Sequence, residues 1–213
     1  MERTKIDIGL LFATRIVRLF AYGCVSVVLV LYLTAAGLGT PQVGILLTLT
    51  LVGDALISLW LTTTADRLGR RRTLLIGAVL MLGAGAAFVA TQNPLLLTLA
   101  AIVGVISPSG NEIGPFLSIE QAALSQLVPD ERRTHIFAWY NLAGSFATAT
   151  GALCAGIVAQ MLQNSGWSAL DSYRAILAGY ALIGVLLLAA FWGLSPAVEP
   201  LRQKAAQPPR LFL

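Results

Sequence analysis

Charged side chains of both signs stand inside long apolar segments of this sequence, and they are the residues best able to do chemistry: Arg15, Arg18, Asp54 and Glu120. A charge within a lipid bilayer is costly, so it usually has a function or a partner. At the rise of an α-helix, Arg18 and Asp54 lie about 14 Å, and Glu120 about 12 Å, from the basic ends of their segments.

Two interpretations of these charges are open. In the first, Asp54 or Glu120 exchanges a proton or holds a cationic substrate in a polar cavity, with Arg18 as counter-ion. In the second, the charges form a purely structural cluster of ion pairs, and Arg15 extends to the membrane edge.

Glu112 lies deeper, about 24 Å from the basic end of its segment, and no Lys or Arg lies at a comparable depth. Residues 107–115 around it read Ser-Pro-Ser-Gly-Asn-Glu-Ile-Gly-Pro. This pattern predicts a discontinuous helix, whose loosened backbone can line a binding site. Glu112 then either binds a proton or substrate, which we favour, or hydrogen-bonds the backbone at the kink. Asn141 in the next segment either lines the same cavity or hydrogen-bonds a neighbouring helix.

Six apolar segments are long enough to span a bilayer, which takes roughly 20 residues. They cover about 9–33, 42–63, 73–91, 94–127, 135–160 and 172–193. Only 11% of the residues are charged, against about 25% in soluble domains. The sequence therefore predicts an all-α polytopic membrane protein. The fourth segment, about 51 Å long as one helix, must protrude, tilt or break.

The basic residues give the expected orientation. Eleven of the 14 Lys and Arg residues fall before segment one, between two and three, between four and five, or after six. The opposite loops contain none, so both termini are expected in the cytoplasm. We expect residues 1–194 to form the membrane region. Residues 195–213, with four prolines among Lys, Arg and Gln, are expected to form a cytoplasmic linker.

The loop between segments two and three has a specific pattern, carried by Asp66, Arg67, Gly69, Arg70 and Arg71. It resembles the signature loop of the major facilitator superfamily of transporters. A second match lies between segments four and five, where residues 128–133 read Val-Pro-Asp-Glu-Arg-Arg and residues 137–141 read Phe-Ala-Trp-Tyr-Asn. Both matches fall at the expected ends of a six-span pattern.

The resemblance implies the N-terminal six-helix half of a twelve-span protein. Such a protein is a secondary transporter that moves a small molecule by alternating access, and proton coupling is expected. The loop of Asp66 to Arg71 would act in conformational gating. Glu120 would form a structural ion pair with Arg70. The expected partners are a small-molecule substrate, membrane lipid and a second six-helix half, either a homodimer mate or a C-terminal lobe.

Gly151 and Gly156 have the spacing of an exporter motif of the same family. Either they indicate export, or they are small residues that let helices pack closely, which we favour. The expected location is the bacterial plasma (inner) membrane.

Other functions fit the sequence less well. It contains no Gly-rich Lys loop for ATP and no Gly-x-Ser-x-Gly elbow, so we expect neither direct ATP coupling nor an enzyme. The cysteines Cys24 and Cys154 suggest no disulfide or metal framework, and we expect no cofactor and no nucleic-acid partner. The alternative function is a non-transporting six-helix membrane scaffold that pairs with another chain.

Overall fold

The computed structural model describes residues 2–110 and 115–200, except for the side chains of Glu2, Asp66 and Pro115. Seven α-helices and one 3₁₀ turn at Pro196–Val198 account for most of this part of the chain, and no strand occurs within it. The helices are α1 Glu2–Ala35, α2 Thr40–Leu68, α3 Arg70–Ala90, α4 Pro94–Val103, α5 Pro115–Leu127, α6 Asp130–Asn164 and α7 Ala169–Trp192.

Local sequence signals set several helix ends. Gly37 follows α1 with a φ of 92°, a conformation that suits glycine. Pro94 opens α4 next to Asn93, whose side-chain oxygen accepts the backbone N–H of Leu95 at 2.9 Å. Ser168 caps α7 in the same way and accepts the N–H of Asp171 at 3.0 Å. Residues next to each of these ends are sufficient to define where the helix begins or stops.

The six-span, all-helical prediction is confirmed, with a break in the fourth span. Five helices are long and apolar enough to cross a membrane, and α4 is a shorter apolar helix of 10 residues. Between α4 and α5 the chain leaves the helix, and Val105 has a φ of 53°. This left-handed conformation is unusual for a β-branched residue. The predicted 94–127 segment is therefore two helices.

The close contact of α1 with α6 depends on glycine. A Cβ on Gly23 would lie 2.1 Å from the carbonyl oxygen of Thr148, and one on Gly151 would lie 2.1 Å from that of Phe20. Gly156 has nothing within 4 Å of its Cβ position. Of the two glycines in the exporter-like motif, Gly151 thus has a packing role, because a side chain there would separate the two helices.

Candidate functional site

A buried ion pair joins α1 to α5. Arg18 donates from both terminal nitrogens to the carboxylate of Glu120, at 2.8 and 2.7 Å, and both side chains are fully buried. Glu120 also accepts the hydroxyls of Thr14, at 3.3 Å, and Tyr140. The Arg18 guanidinium lies 4.4 Å from the ring centre of Phe116. A bidentate pair with further donors is the geometry that offsets the desolvation of both charges.

The predicted pair of Glu120 with Arg70 is wrong. Glu120 lies in the interior at the level of Arg18, whereas Arg70 is the first residue of α3. There Arg70 Nη1 donates to Gln126 Oε1 at 3.1 Å and to the carbonyl of Val198 at 3.3 Å. Arg18 donates to both carboxylate oxygens of Glu120, so Glu120 pairs with this nearer cation.

Asp54 on α2 is buried within the fold. Its side chain is 1% exposed, and among the described residues neither carboxylate oxygen has a hydrogen-bond partner. The adjacent Gly53 touches the end of α4, since a Cβ there would lie 2.7 Å from the carbonyl oxygen of Ile102. Arg18, the counter-ion considered for Asp54 or Glu120, pairs with Glu120. Asp54 is thus a buried acid with no cation paired to it in the described part.

A cavity of about 510 Å³ with a mixed polar and apolar lining lies between α1, α5 and α6, and Arg15, Gly110, Ser145 and Thr148 contribute to its wall. Arg15 is buried, and its Nη2 donates to Asn141 Oδ1 at 3.2 Å. Asn141 thus contacts a residue of the cavity wall without lining the cavity itself. The guanidinium and hydroxyl groups of the wall can hydrogen-bond a small molecule.

The loop between α2 and α3 binds the chain that follows α7. Gly69, with a φ of 97°, joins the two helices. The backbone N–H groups of Arg70 and Arg71 donate to the carboxylate of Glu199, at 2.7 and 3.3 Å. A carboxylate at a helix N-terminus is stabilised by the unpaired amides and the helix dipole. Glu199 thus supplies the cap that Gly69 lacks.

Further contacts hold the same segment, residues 194–199, which we call the clasp. Gln126 Nε2 donates to the carbonyls of Ala197 and Glu199, at 3.0 and 2.9 Å. Asp7 accepts the backbone N–H of Ser195 at 3.1 Å. Leu194 donates its backbone N–H to the carbonyl of Phe191 at 3.3 Å, and Arg71 Nε donates to the same carbonyl at 3.2 Å. The clasp therefore joins the ends of α1, α3, α5 and α7, although most of it belongs to the predicted linker.

The other predicted loop and site residues are placed as follows. Arg67 is exposed in the last turn of α2, and the backbone of Asp66 belongs to the same helix. The Asp66 side chain and Glu112 lie outside the described residues, so their predicted roles stay predictions. Sequence analysis did not identify Glu199, Gln126 or Asp7. Gly69 has no side chain to cap α3, and this was the feature of the sequence that could have suggested a distant acidic cap.

Comparison with known proteins gives a consistent result. The family model of the Major Facilitator Superfamily matches residues 11–212. An uncharacterized membrane protein of Saccharomyces cerevisiae is 40% identical over 195 residues, which cover 91% of this chain and 44% of the yeast protein.

Two solved structures share the fold. A D-xylose–proton symporter superposes with a TM-score of 0.69 at 19% identity, covering 89% of this chain and 48% of the symporter. A proton:xylose symporter bound to 6-bromo-6-deoxy-D-glucose gives 0.67 at 17% identity, with 89% and 45% covered. The chain thus spans about half the length of these relatives. The family model matches nearly the whole chain, and five described helices are long and apolar enough to cross a membrane. The chain is therefore an integral membrane protein that belongs to the Major Facilitator Superfamily.

Proposed function

We propose that this chain is the N-terminal six-helix lobe of a secondary active transporter that moves a small molecule by alternating access. Its family, its coverage of about half of its relatives, and the cavity walled in part by Arg15 support this. A second six-helix lobe, either a C-terminal half or another copy, would complete the pathway. Both termini would lie in the cytoplasm. The lobe would span the bacterial inner membrane, which is the location expected from the sequence.

The outer faces of the lobe suit such a partner. Among the long helices, α2 and α6 have the least buried surface. Large apolar side chains stand exposed on both, including Leu59 and Trp60 on α2 and Phe146 and Leu153 on α6. A second lobe or lipid chains would cover these faces, since neither α2 nor α6 is enclosed by its own lobe.

The buried acid Asp54 carries the proposal of proton coupling. A carboxylate in the hydrocarbon interior without a cation is costly, and binding a proton removes the charge. The other interior acid, Glu120, already has Arg18 as its counter-ion. Of these two acids, Asp54 is therefore the one that can gain and lose a proton without breaking an ion pair. Glu112 remains the second candidate for proton binding. The loop of Asp66 to Arg71, together with the clasp that binds it, would form the gating element. Export is one of the two directions that the experiment distinguishes, since Gly151 of the exporter-like spacing already has a packing role.

The test is transport in proteoliposomes that contain the full-length protein and an imposed pH gradient. Ethidium and a panel of radiolabelled sugars and amino acids serve as probes. We expect the gradient to drive accumulation of at least one probe, and the orientation of the effective gradient separates import from export. Asp54→Asn keeps the size of the side chain but cannot ionise, so gradient-driven accumulation should be lost while exchange of the same probe continues.

Asp171→Asn is the matched control, because Asp171 is half exposed at the start of α7 and should leave coupling unchanged. Proton-driven accumulation that survives in Asp54→Asn would refute the role of Asp54, and Glu112→Gln would then be tested. No movement of any probe by the wild-type protein would favour the scaffold function.

A further inference from the structure

Two thiol groups line one apolar cavity between α1, α6 and α7. The cavity has a volume of about 240 Å³, and both Cys24 of α1 and Cys154 of α6 belong to its wall. Apart from Tyr180, the other described side chains of the wall are hydrocarbon. The hydroxyl of Tyr180 already donates to the carbonyl of Val105, at 3.2 Å. The two sulfur atoms are therefore the ligand atoms that this cavity offers.

The packing of α1 against α6 places the two thiols beside one another. Cys24 donates its thiol hydrogen to the carbonyl oxygen of Gly151 at 3.2 Å. A carbonyl oxygen of an α-helix points along the axis toward the residues three and four positions later, and Cys154 is three positions after Gly151. The two backbones touch here, since a Cβ on Gly23 would lie 3.0 Å from the backbone nitrogen of Ala152. Cys24 is also close enough to Cys154 for an electrostatic interaction.

This convergence depends on how the helices pack, so it is not visible in the sequence, where the two cysteines suggested no metal framework. It gives the cavity two soft ligands. Thiolate sulfur selects soft metal ions. Hydrocarbon surroundings penalise a complex with a net charge, so two thiolates call for a divalent ion.

The number of ligands restricts the ion further. Zinc takes four ligands, and the described residues contain no cluster of three or more His, Cys, Asp or Glu side chains that could hold a metal ion. A soft divalent ion that is satisfied by two sulfur ligands, such as Hg²⁺, agrees with the softness, the charge and the number of the ligands.

We propose that Cys24 and Cys154 bind one soft divalent metal ion of the Hg²⁺ type as a two-sulfur bridge between α1 and α6. Both S–H bonds break and two metal–sulfur bonds form, so two protons leave and no electron is transferred. The metal itself deprotonates a thiol that coordinates it, so burial does not prevent the reaction. The product is neutral, as the apolar wall requires. The bridge would fix the contact of α1 with α6, and it does not depend on the proposed transport.

The test measures how firmly Hg²⁺ is held. Full-length protein in detergent is loaded with HgCl₂, desalted and titrated with 2-mercaptoethanol, and the mercury that stays bound is measured by mass spectrometry. Once one sulfur has bound, the second bond is intramolecular, and such linkage raises affinity by about 10²–10⁴-fold. We expect the wild type to need about 100 times more competing thiol than Cys24→Ser or Cys154→Ser. The double variant gives the background from any other thiol of the full-length protein.

Val158→Ala is the matched control, because Val158 lines the same cavity without a sulfur atom. It should hold mercury as the wild type does. We also expect one ion per protein above the double-variant background and the release of two protons per ion, recorded with a pH indicator in weak buffer.

Loss of mercury from the wild type at the same thiol concentration as from the single variants would overturn the bridge. Two ions per protein above the background would do so as well, because each thiol would then bind its own ion. If one single variant does not fold, the other decides, since the bridge requires both sulfur atoms.

Discussion

At the scale of single residues, the interior acids differ in what surrounds them. Glu120 has a bidentate cation and two hydroxyl donors, whereas Asp54 has no described hydrogen-bond partner. A saturated ion pair resists any change of charge, because loss of either member strands the other in a low-dielectric interior. Asp54 is free of that constraint. A buried carboxylate thus serves structure at Glu120 and is open to ion exchange at Asp54.

Removal of one member of the buried pair should destabilise the protein strongly. Arg18→Met leaves the carboxylate of Glu120 without its cation, and we expect the free energy of unfolding to fall by about 3–5 kcal/mol. The double variant Arg18→Met/Glu120→Leu should recover most of this loss, because no charge is then stranded. Chemical unfolding in mixed micelles measures both values.

The exposed pair of Arg133 and Asp130, 2.8 Å apart, provides the comparison. Arg133→Met should change stability by less than about 1 kcal/mol, as surface ion pairs do. A double variant no more stable than Arg18→Met would show that packing, and not the stranded charge, accounts for the loss.

At the scale of helices, the sequence was sufficient for the number of spans and the site of the break. Apolar length gave the six segments, and the proline and glycine residues at 108–115 marked the weak point of the fourth. The pairing of Arg18 with Glu120 was beyond the sequence, because it depends on how far each helix is rotated about its axis. The contact of Glu199 with Arg70 was equally beyond it, since the two residues are 129 positions apart.

The close approach of α1 and α6 yields a test with opposite signs at two glycines of one helix. Gly151→Ala places a methyl group against the backbone of Phe20, so we expect a loss of about 1–3 kcal/mol from overpacking. Gly156→Ala meets open space, and the higher helix propensity of alanine should leave stability equal or improve it by up to about 1 kcal/mol. Thermal unfolding of the two variants checks the contrast, and equal effects would contradict the packing role.

At the scale of the whole molecule, the clasp links helices that are distant from one another in the sequence. Residues 194–199 contact the ends of α1, α3, α5 and α7 through main-chain and side-chain bonds. The loop that bears the family signature is thus fixed to its own lobe by Glu199. A lobe closed in this way can move as a rigid body, as alternating access requires.

Loss of the charge on Glu199 should loosen this end of the lobe. Glu199→Gln weakens the interaction with the start of α3, which is worth about 0.3–1 kcal/mol in exposed sites and up to about 2 in partly buried ones. Hydrogen exchange at the amides of Arg70 and Arg71 should accelerate. Glu131→Gln, an exposed acid in the first turn of α6, should not alter exchange at those amides. Unchanged exchange in Glu199→Gln would mean that other contacts hold the loop.

The distance in sequence between α3 and its cap also means that the cap is synthesised long after the helix. Arg70 leaves the ribosome 129 residues ahead of the glutamate that caps its helix. At about 5–20 residues per second, the start of α3 waits roughly 6–26 s for that partner. During this interval the amides of the signature loop must bind water or lipid headgroups. Glu199 can therefore dock only after all seven helices have been synthesised, so a ribosome that stalls before residue 199 leaves the loop uncapped.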